Sequence, residues 1–200
     1  MLLVLKSKKQ EKNGAFIMKK LLAIIIILPL ALTNVEAFAI TEDAALNLDL
    51  TEKSGYTAEK LSKGLSGELF SLAEDFILAE QKYGVNAVFL AAVAALESGW
   101  GKSCFRENNI FGWSGKSFES KAECIDFVAS KIAEHYLSED GKYYHGKTLS
   151  GVNVCYNGNG FWEEKVAQIM AMIAKKCKEP ENSLKEKFSG KVTVSTGQNP

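Results

Sequence analysis

Neither sign of charge is in excess: Lys plus Arg and Asp plus Glu stand at 24 each, and the net charge is zero. Nothing in that balance recruits nucleic acid or an anionic membrane, so binding has to come from a local site. Metal ligands are scarce as well. The two histidines, His135 and His145, do not group with the cysteines, and no two cysteines fall at Cys-x-x-Cys spacing. A phosphate-binding glycine loop is missing too, so no cofactor is implied. Long apolar runs are short of a membrane span: Leu21 to Leu32 falls well below the ~20 residues needed. No strand of any length is convincing.

What remains is ordinary for a globular protein: 200 residues, 46% apolar and 24% charged, suited to one domain with appendages. Met18-Lys19-Lys20, the apolar stretch that follows and Ala37-Phe38-Ala39 form a secretory signal pattern, with cleavage expected after Ala39. An uncleaved single-helix anchor is the alternative. Both predict an extracytoplasmic body, secreted or associated with the cell wall, that meets the membrane only through this segment. Residues 1–17 read as an unused upstream start.

Cys104, Cys124, Cys155 and Cys177 all fall in the exported part, and an even count in an oxidising compartment predicts two disulfides. A Cys155–Cys177 bond is discounted, because a helix from Phe161 to Lys176 would be ~24 Å long and a disulfide tolerates Cα atoms only ~4.4–6.8 Å apart. A Cys104–Cys124 bond would staple the loop after Glu97.

Along the body, residues 40–56 read as a linker, 57–180 as the domain and 181–200 as a polar, flexible tail. A short helix is expected at Thr57 to Gly64. From Ser66, Leu69, Leu72, Ala73, Phe76, Ala79 and Tyr83 recur at helical spacing before a stop at Gly84. Asn86 is a good N-cap for Ala87 to Leu96, ten residues with no polar side chain on any face, which predicts a central buried helix ended by Gly99. Ser120 to Glu123 forms a capping box for a helix on Ile125, Val128, Ile132 and Tyr136. A turn-rich stretch, Ser138 to Gly160, holds the segment Thr148 to Val154. The last helix carries Trp162, Val166, Ile169, Met170, Ile173 and Cys177. The fold class is all-α, a single domain expected to be a monomer, with at most a small hairpin near 111–119.

Glu97 breaks the apolar pattern. An ionised carboxylate against apolar surroundings at a helix C-terminus is disfavoured, and the resulting preference for the protonated form suits a general acid. Helix periodicity alone equally permits a solvated helix end. Ser98-Gly99-Trp100-Gly101 favours the functional reading, since glycines let a ligand approach the backbone and Trp100 can stack on a sugar.

Ala95-Leu96-Glu97-Ser98-Gly99-Trp100-Gly101, followed by Asn108-Asn109-Ile110-Phe111-Gly112, resembles the endo-β-N-acetylglucosaminidases of glycoside hydrolase family 73. Thr148 to Val154, Tyr156-Asn157 and Trp162 with Lys165-Val166 extend the likeness over about residues 57–177. The resemblance implies a lysozyme-like all-α fold and cleavage of bacterial peptidoglycan glycan strands. It implies Glu97 as general acid and Tyr156 as the active-site tyrosine. Trp100, Asn109, Phe111, Trp113, Asn157 and Trp162 would contact the glycan, although Phe111 and Trp162 also suit plain core packing. Many family members carry a second carboxylate on a hairpin after the Asn-Phe-Gly stretch, and here Trp113 to Glu119 leaves little room for one. Glu119 reads as a solvated charge and Glu123 as a cap. A lytic transglycosylase using a single Glu, and a non-catalytic wall-binding module, are the competing readings.

Overall fold

The computed structural model describes residues 40–158 and 160–178. The signal segment within 1–39 and the tail at 181–200 lie outside the described residues. Seven α-helices are described: α1 (Glu42–Asn47), α2 (Ala58–Gly64), α3 (Ala73–Tyr83), α4 (Ala87–Ser98), α5 (Lys121–Ile132), α6 (Leu149–Tyr156) and α7 (Gly160–Lys178). A 3-10 segment at Gly67–Leu72 leads into α3, a single 3-10 turn occupies Trp113–Gly115, and α5 runs on into a π-helical turn at Ala133–Leu137. The described residues contain no strand, in line with the all-α expectation, and the 3-10 turn stands where a hairpin was the upper limit.

α4 is the centre. Asn86 Oδ1 accepts the N–H groups of Val88 and Phe89 at 3.0 Å each, and Ala87 to Ala95 are all buried. A cap of this kind contributes about 1 kcal/mol. The all-round apolar sequence is satisfied because α4 packs against both α3 and α7. α7 presents Trp162, Val166, Ala167, Met170, Ile173, Ala174 and Cys177 as one buried stripe and packs on α1, α2, α4 and α6. α3 is covered on another side by α5.

The segment read as a linker is part of this body. Thr41 caps α1, and Ala45 and Leu50 are fully buried. Asn86 donates through Nδ2 to the Glu52 carbonyl at 2.9 Å, and its own N–H donates to the Leu50 carbonyl at 2.8 Å. The buried Glu80 carboxylate accepts from Ser54 N–H at 2.7 Å and from Ala87 N–H at 2.9 Å. One acidic side chain thus joins the lead-in, α3 and the start of α4, where N–H groups favour negative charge.

The capping box opens α5 with a small shift. Ser120 accepts from Glu123 N–H at 3.1 Å, whereas the Glu123 carboxylate reaches back to Glu119 N–H at 2.7 Å, one residue before the cap. Glu123 is therefore occupied as a cap. The predicted disulfides are absent: all four cysteines are free. Cys124 and Cys177 are buried on α5 and α7, with Sγ 3.9 Å from Asn109 Oδ1 and 3.8 Å from the Leu61 carbonyl, and burial pushes the Cys124 thiol up to about 11.

Candidate active site

The site is built where α4 ends. Gly99 takes left-handed φ 55°, and its N–H closes on the Ala95 carbonyl; Trp100 and Gly101 continue left-handed at φ 65° and 83°. Ser98 Oγ holds the turn by donating to the Ala94 carbonyl at 2.6 Å and accepting from Gly101 N–H at 2.8 Å. The Trp100 carbonyl accepts Glu68 N–H at 3.0 Å, and Gly67 is required there because a Cβ would lie 2.5 Å from that oxygen. The turn is thus fastened to the 3-10 segment, and Trp100, half-buried beneath Lys176 Nζ at 6.0 Å, does not line the groove. A Cβ on Gly101 would lie 3.1 Å from Glu68 Cβ and 3.2 Å from Leu69 Cδ2, so this turn sits close against the 3-10 segment.

Glu97 leaves this helix end into the open. Its side chain is exposed, so the apolar enclosure expected from the ten preceding residues is not found. Those residues face inward, and the last turn of α4 carries the carboxylate out into a groove of about 340 Å³. Glu97, Phe111, Gly112, Trp113, Ser114, Tyr136, Cys155, Tyr156 and Asn157 line it, and Glu97 is the one carboxylate in that lining.

Asn109 is not a wall of this groove. It is 3% exposed, and its amide is spent on the loop: Oδ1 accepts Trp113 N–H at 2.9 Å while Nδ2 donates to the carbonyls of Trp113 at 3.0 Å and Lys116 at 2.7 Å. That clamp aims Trp113 at the groove, where its ring meets Phe127, Tyr136 and Tyr156 at centroid distances of 6.3, 6.4 and 6.1 Å. Phe111 lines the groove with little exposed surface, and its carbonyl accepts the Tyr156 hydroxyl at 3.4 Å.

Tyr156 and Asn157 are delivered by the end of α6. Burial holds the Tyr156 phenol well above its ordinary range, and the Glu97 carboxylate nearby adds to this by opposing a second negative charge. The phenol therefore stays a neutral donor throughout the working pH range. Its ring lies 5.1 Å from that of Trp162, tilted by 36°. Trp162 itself is buried behind the groove and is not part of its surface; its indole Nε1 donates to Glu97 Oε1 at 3.0 Å. The resemblance put Trp162 among the glycan contacts with plain core packing as its alternative, and the structure buries it with its indole on the acid.

Three lining residues were not singled out from the sequence. Tyr136 was read only as a core position of its helix. It lies in the π-helical turn, a feature often found at functional sites, which turns the ring towards Trp113 and Tyr156. Ser114 takes φ 45° in the loop, and Cys155 precedes Tyr156 on α6. The three tyrosines Tyr136, Tyr143 and Tyr144 close together in sequence were the available signal for the first; the other two had none.

An all-α body that sets one exposed carboxylate at the edge of an aromatic groove has the layout of a glycan-cleaving domain. The family profile described as mannosyl-glycoprotein endo-beta-N-acetylglucosaminidase matches residues 73–175, which span Glu97, the Trp113 loop, Tyr156 and Trp162. The chain belongs to this glucosaminidase family. Two proteins from Streptococcus pneumoniae strains, each provisionally named an endo-beta-N-acetylglucosaminidase, are similar to it at 35% identity over 152 residues, or 68% of this chain. The matched region makes up 23% of one relative and 22% of the other, so the chain spans far less than their full length.

Proposed function

We propose that the chain is an exported peptidoglycan hydrolase that cuts glycan strands at N-acetylglucosamine β-1,4 linkages, with Glu97 as general acid. The observation that carries this reading is the placement of Glu97 as the one carboxylate in a groove walled by Trp113, Tyr136 and Tyr156. Aromatic faces suit the apolar faces of sugar rings, and an acid at the groove edge suits protonation of a leaving glycosidic oxygen. Tyr156, held neutral, donates to the substrate near the cleavage point, and Asn157 and Trp113 contact the sugars. The predicted signal segment and the cell-wall polymer agree on an extracytoplasmic location.

A pair of carboxylates would ordinarily share the chemistry, with separations of ~5–5.5 Å for retention and ~6.5–9.5 Å for inversion. With Glu97 alone in the lining, the substrate's own N-acetyl group is the nucleophile in this proposal. Its carbonyl oxygen attacks C1, the C1–O bond breaks, and the leaving oxygen takes the proton of Glu97. Water then opens the oxazolinium and returns a proton to Glu97, with net retention. A lytic transglycosylase would use the same single acid but close an internal anhydro ring. Mass spectrometry of digested peptidoglycan separates the two: reducing N-acetylglucosamine ends are expected, and anhydro-muramic ends would replace this reading with the transglycosylase. An inverted anomer would rule out the N-acetyl nucleophile.

A further inference from the structure

We infer that Trp162 is a positioning residue that assigns the transferable proton of Glu97 to Oε2, the oxygen facing the groove over Gly112. The inference rests on the reading of Glu97 as the general acid.

An indole N–H donates and cannot accept. The Trp162 Nε1 bond at 3.0 Å therefore fixes Oε1 as an acceptor whatever the charge of the carboxyl. In the protonated carboxyl, the carbonyl oxygen is the better acceptor of the two, so the indole favours Oε1 as C=O and leaves the hydrogen on Oε2. That oxygen points to the substrate side: it is the atom a Cβ on Gly112 would meet, at 3.9 Å, and Gly112 lines the groove. The absence of a side chain at Gly112 keeps clear the space in which a leaving oxygen must approach Oε2.

The indole has little freedom to turn away. Trp162 is 4% exposed at the start of α7, and the Tyr156 ring lies 5.1 Å from its own. A buried tryptophan thus restrains an exposed carboxylate, and the pinned oxygen is the one not needed for proton transfer. Without the bond, the carboxyl rotates and its proton is shared between two oxygens, of which one faces the substrate.

Trp162→Phe keeps an aromatic ring against Tyr156 and removes the N–H. The expected result is a kcat lower by roughly 10- to 100-fold, the scale of loss for a misplaced reacting group, with KM and the unfolding temperature close to wild type. In the full-length wild type, the indole N–H resonance of Trp162 should shift as pH is lowered through the protonation of Glu97, and Glu97→Gln should abolish that shift, with the Trp100 and Trp113 indoles as internal references. A Trp162→Phe enzyme with wild-type kcat, while Glu97→Gln is inactive, overturns the positioning role and leaves the acid assignment standing. An active Glu97→Gln enzyme removes the acid assignment itself. If Trp162→Phe does not fold, the resonance decides: one that ignores pH and Glu97→Gln overturns the inference.

Discussion

Asn109 and Trp113 clasp each other twice, the Asn109 amide accepting the Trp113 N–H at 2.9 Å and donating to the Trp113 carbonyl at 3.0 Å. Removing this buried amide leaves the Trp113 N–H and the Lys116 carbonyl without their partner, while the Trp113 carbonyl keeps the Lys116 N–H at 3.0 Å. Asn109→Ala should cost about 2–3 kcal/mol in urea unfolding, with Trp113 released from the groove. If stability is unchanged and only substrate binding weakens, Asn109 is a ligand contact after all.

The two tryptophans that follow Glu97 most closely in sequence should separate in assay. Trp113 lines the groove and Trp100 does not. Trp113→Ala is expected to raise KM on peptidoglycan fragments by roughly 10-fold, consistent with loss of about 1–2 kcal/mol of sugar stacking. Trp100→Ala should act mainly on the unfolding temperature. Equal effects of both on KM would mean that Trp100 reaches the glycan.

Residues 40–56 should prove integral to the domain. A chain started at Thr57 loses the buried Ala45 and Leu50 and the carbonyls of Leu50 and Glu52 that hold Asn86, and it removes Ser54 from the buried Glu80 carboxylate. Thermal unfolding of chains starting at Ile40 and at Thr57 should differ by at least about 3 kcal/mol in favour of the longer one. Equal stability would restore the linker reading.

Alkaline pH should weaken the fold through Tyr156. Its phenol titrates well above the usual value of about 10 in the folded chain, from burial first and the Glu97 charge second. Above that pH the unfolded chain releases the proton while the folded chain keeps it, so the unfolded state binds fewer protons and stability falls as pH rises. The stabilisation is complete below the unfolded value and lost as pH climbs through the folded one. Tyr156→Phe should flatten part of this decline in denaturant midpoints; Tyr56 and Cys124, pushed up by burial to about 12 and about 11, and Tyr136 and Cys177, also raised by burial, keep the rest. Parallel declines in both proteins would contradict the shift.

Much of the helical plan was legible because it depends on local chemistry. Asn86 and Ser120 cap as their side chains predict, and Gly84 and Gly99 end their helices in left-handed geometry. α1 escaped notice because it has six residues and buries only Ala45, too few to show a period. The site was half legible. Glu97, Trp113, Tyr156 and Asn157 do line one groove, since their motif fixes both the helix end and the loop. Asn109 lies off the groove, and Trp162 took the core-packing alternative, for one physical reason: a polar or indole group that completes a protein hydrogen bond has the same spelling as one that meets a ligand. The exposure of Glu97 was misread because an apolar helix says where its own residues go, and not what surrounds its last turn.

The central claim is that Glu97 supplies the proton for glycosidic cleavage. Turnover of purified peptidoglycan by Glu97→Gln, measured beside sedimentation of the same variant with the polymer, tests it most directly. Turnover reduced by at least roughly 1,000-fold with binding retained is the predicted result. Wild-type turnover by Glu97→Gln, or a wild-type chain that sediments with the wall and never cuts it, would contradict the claim.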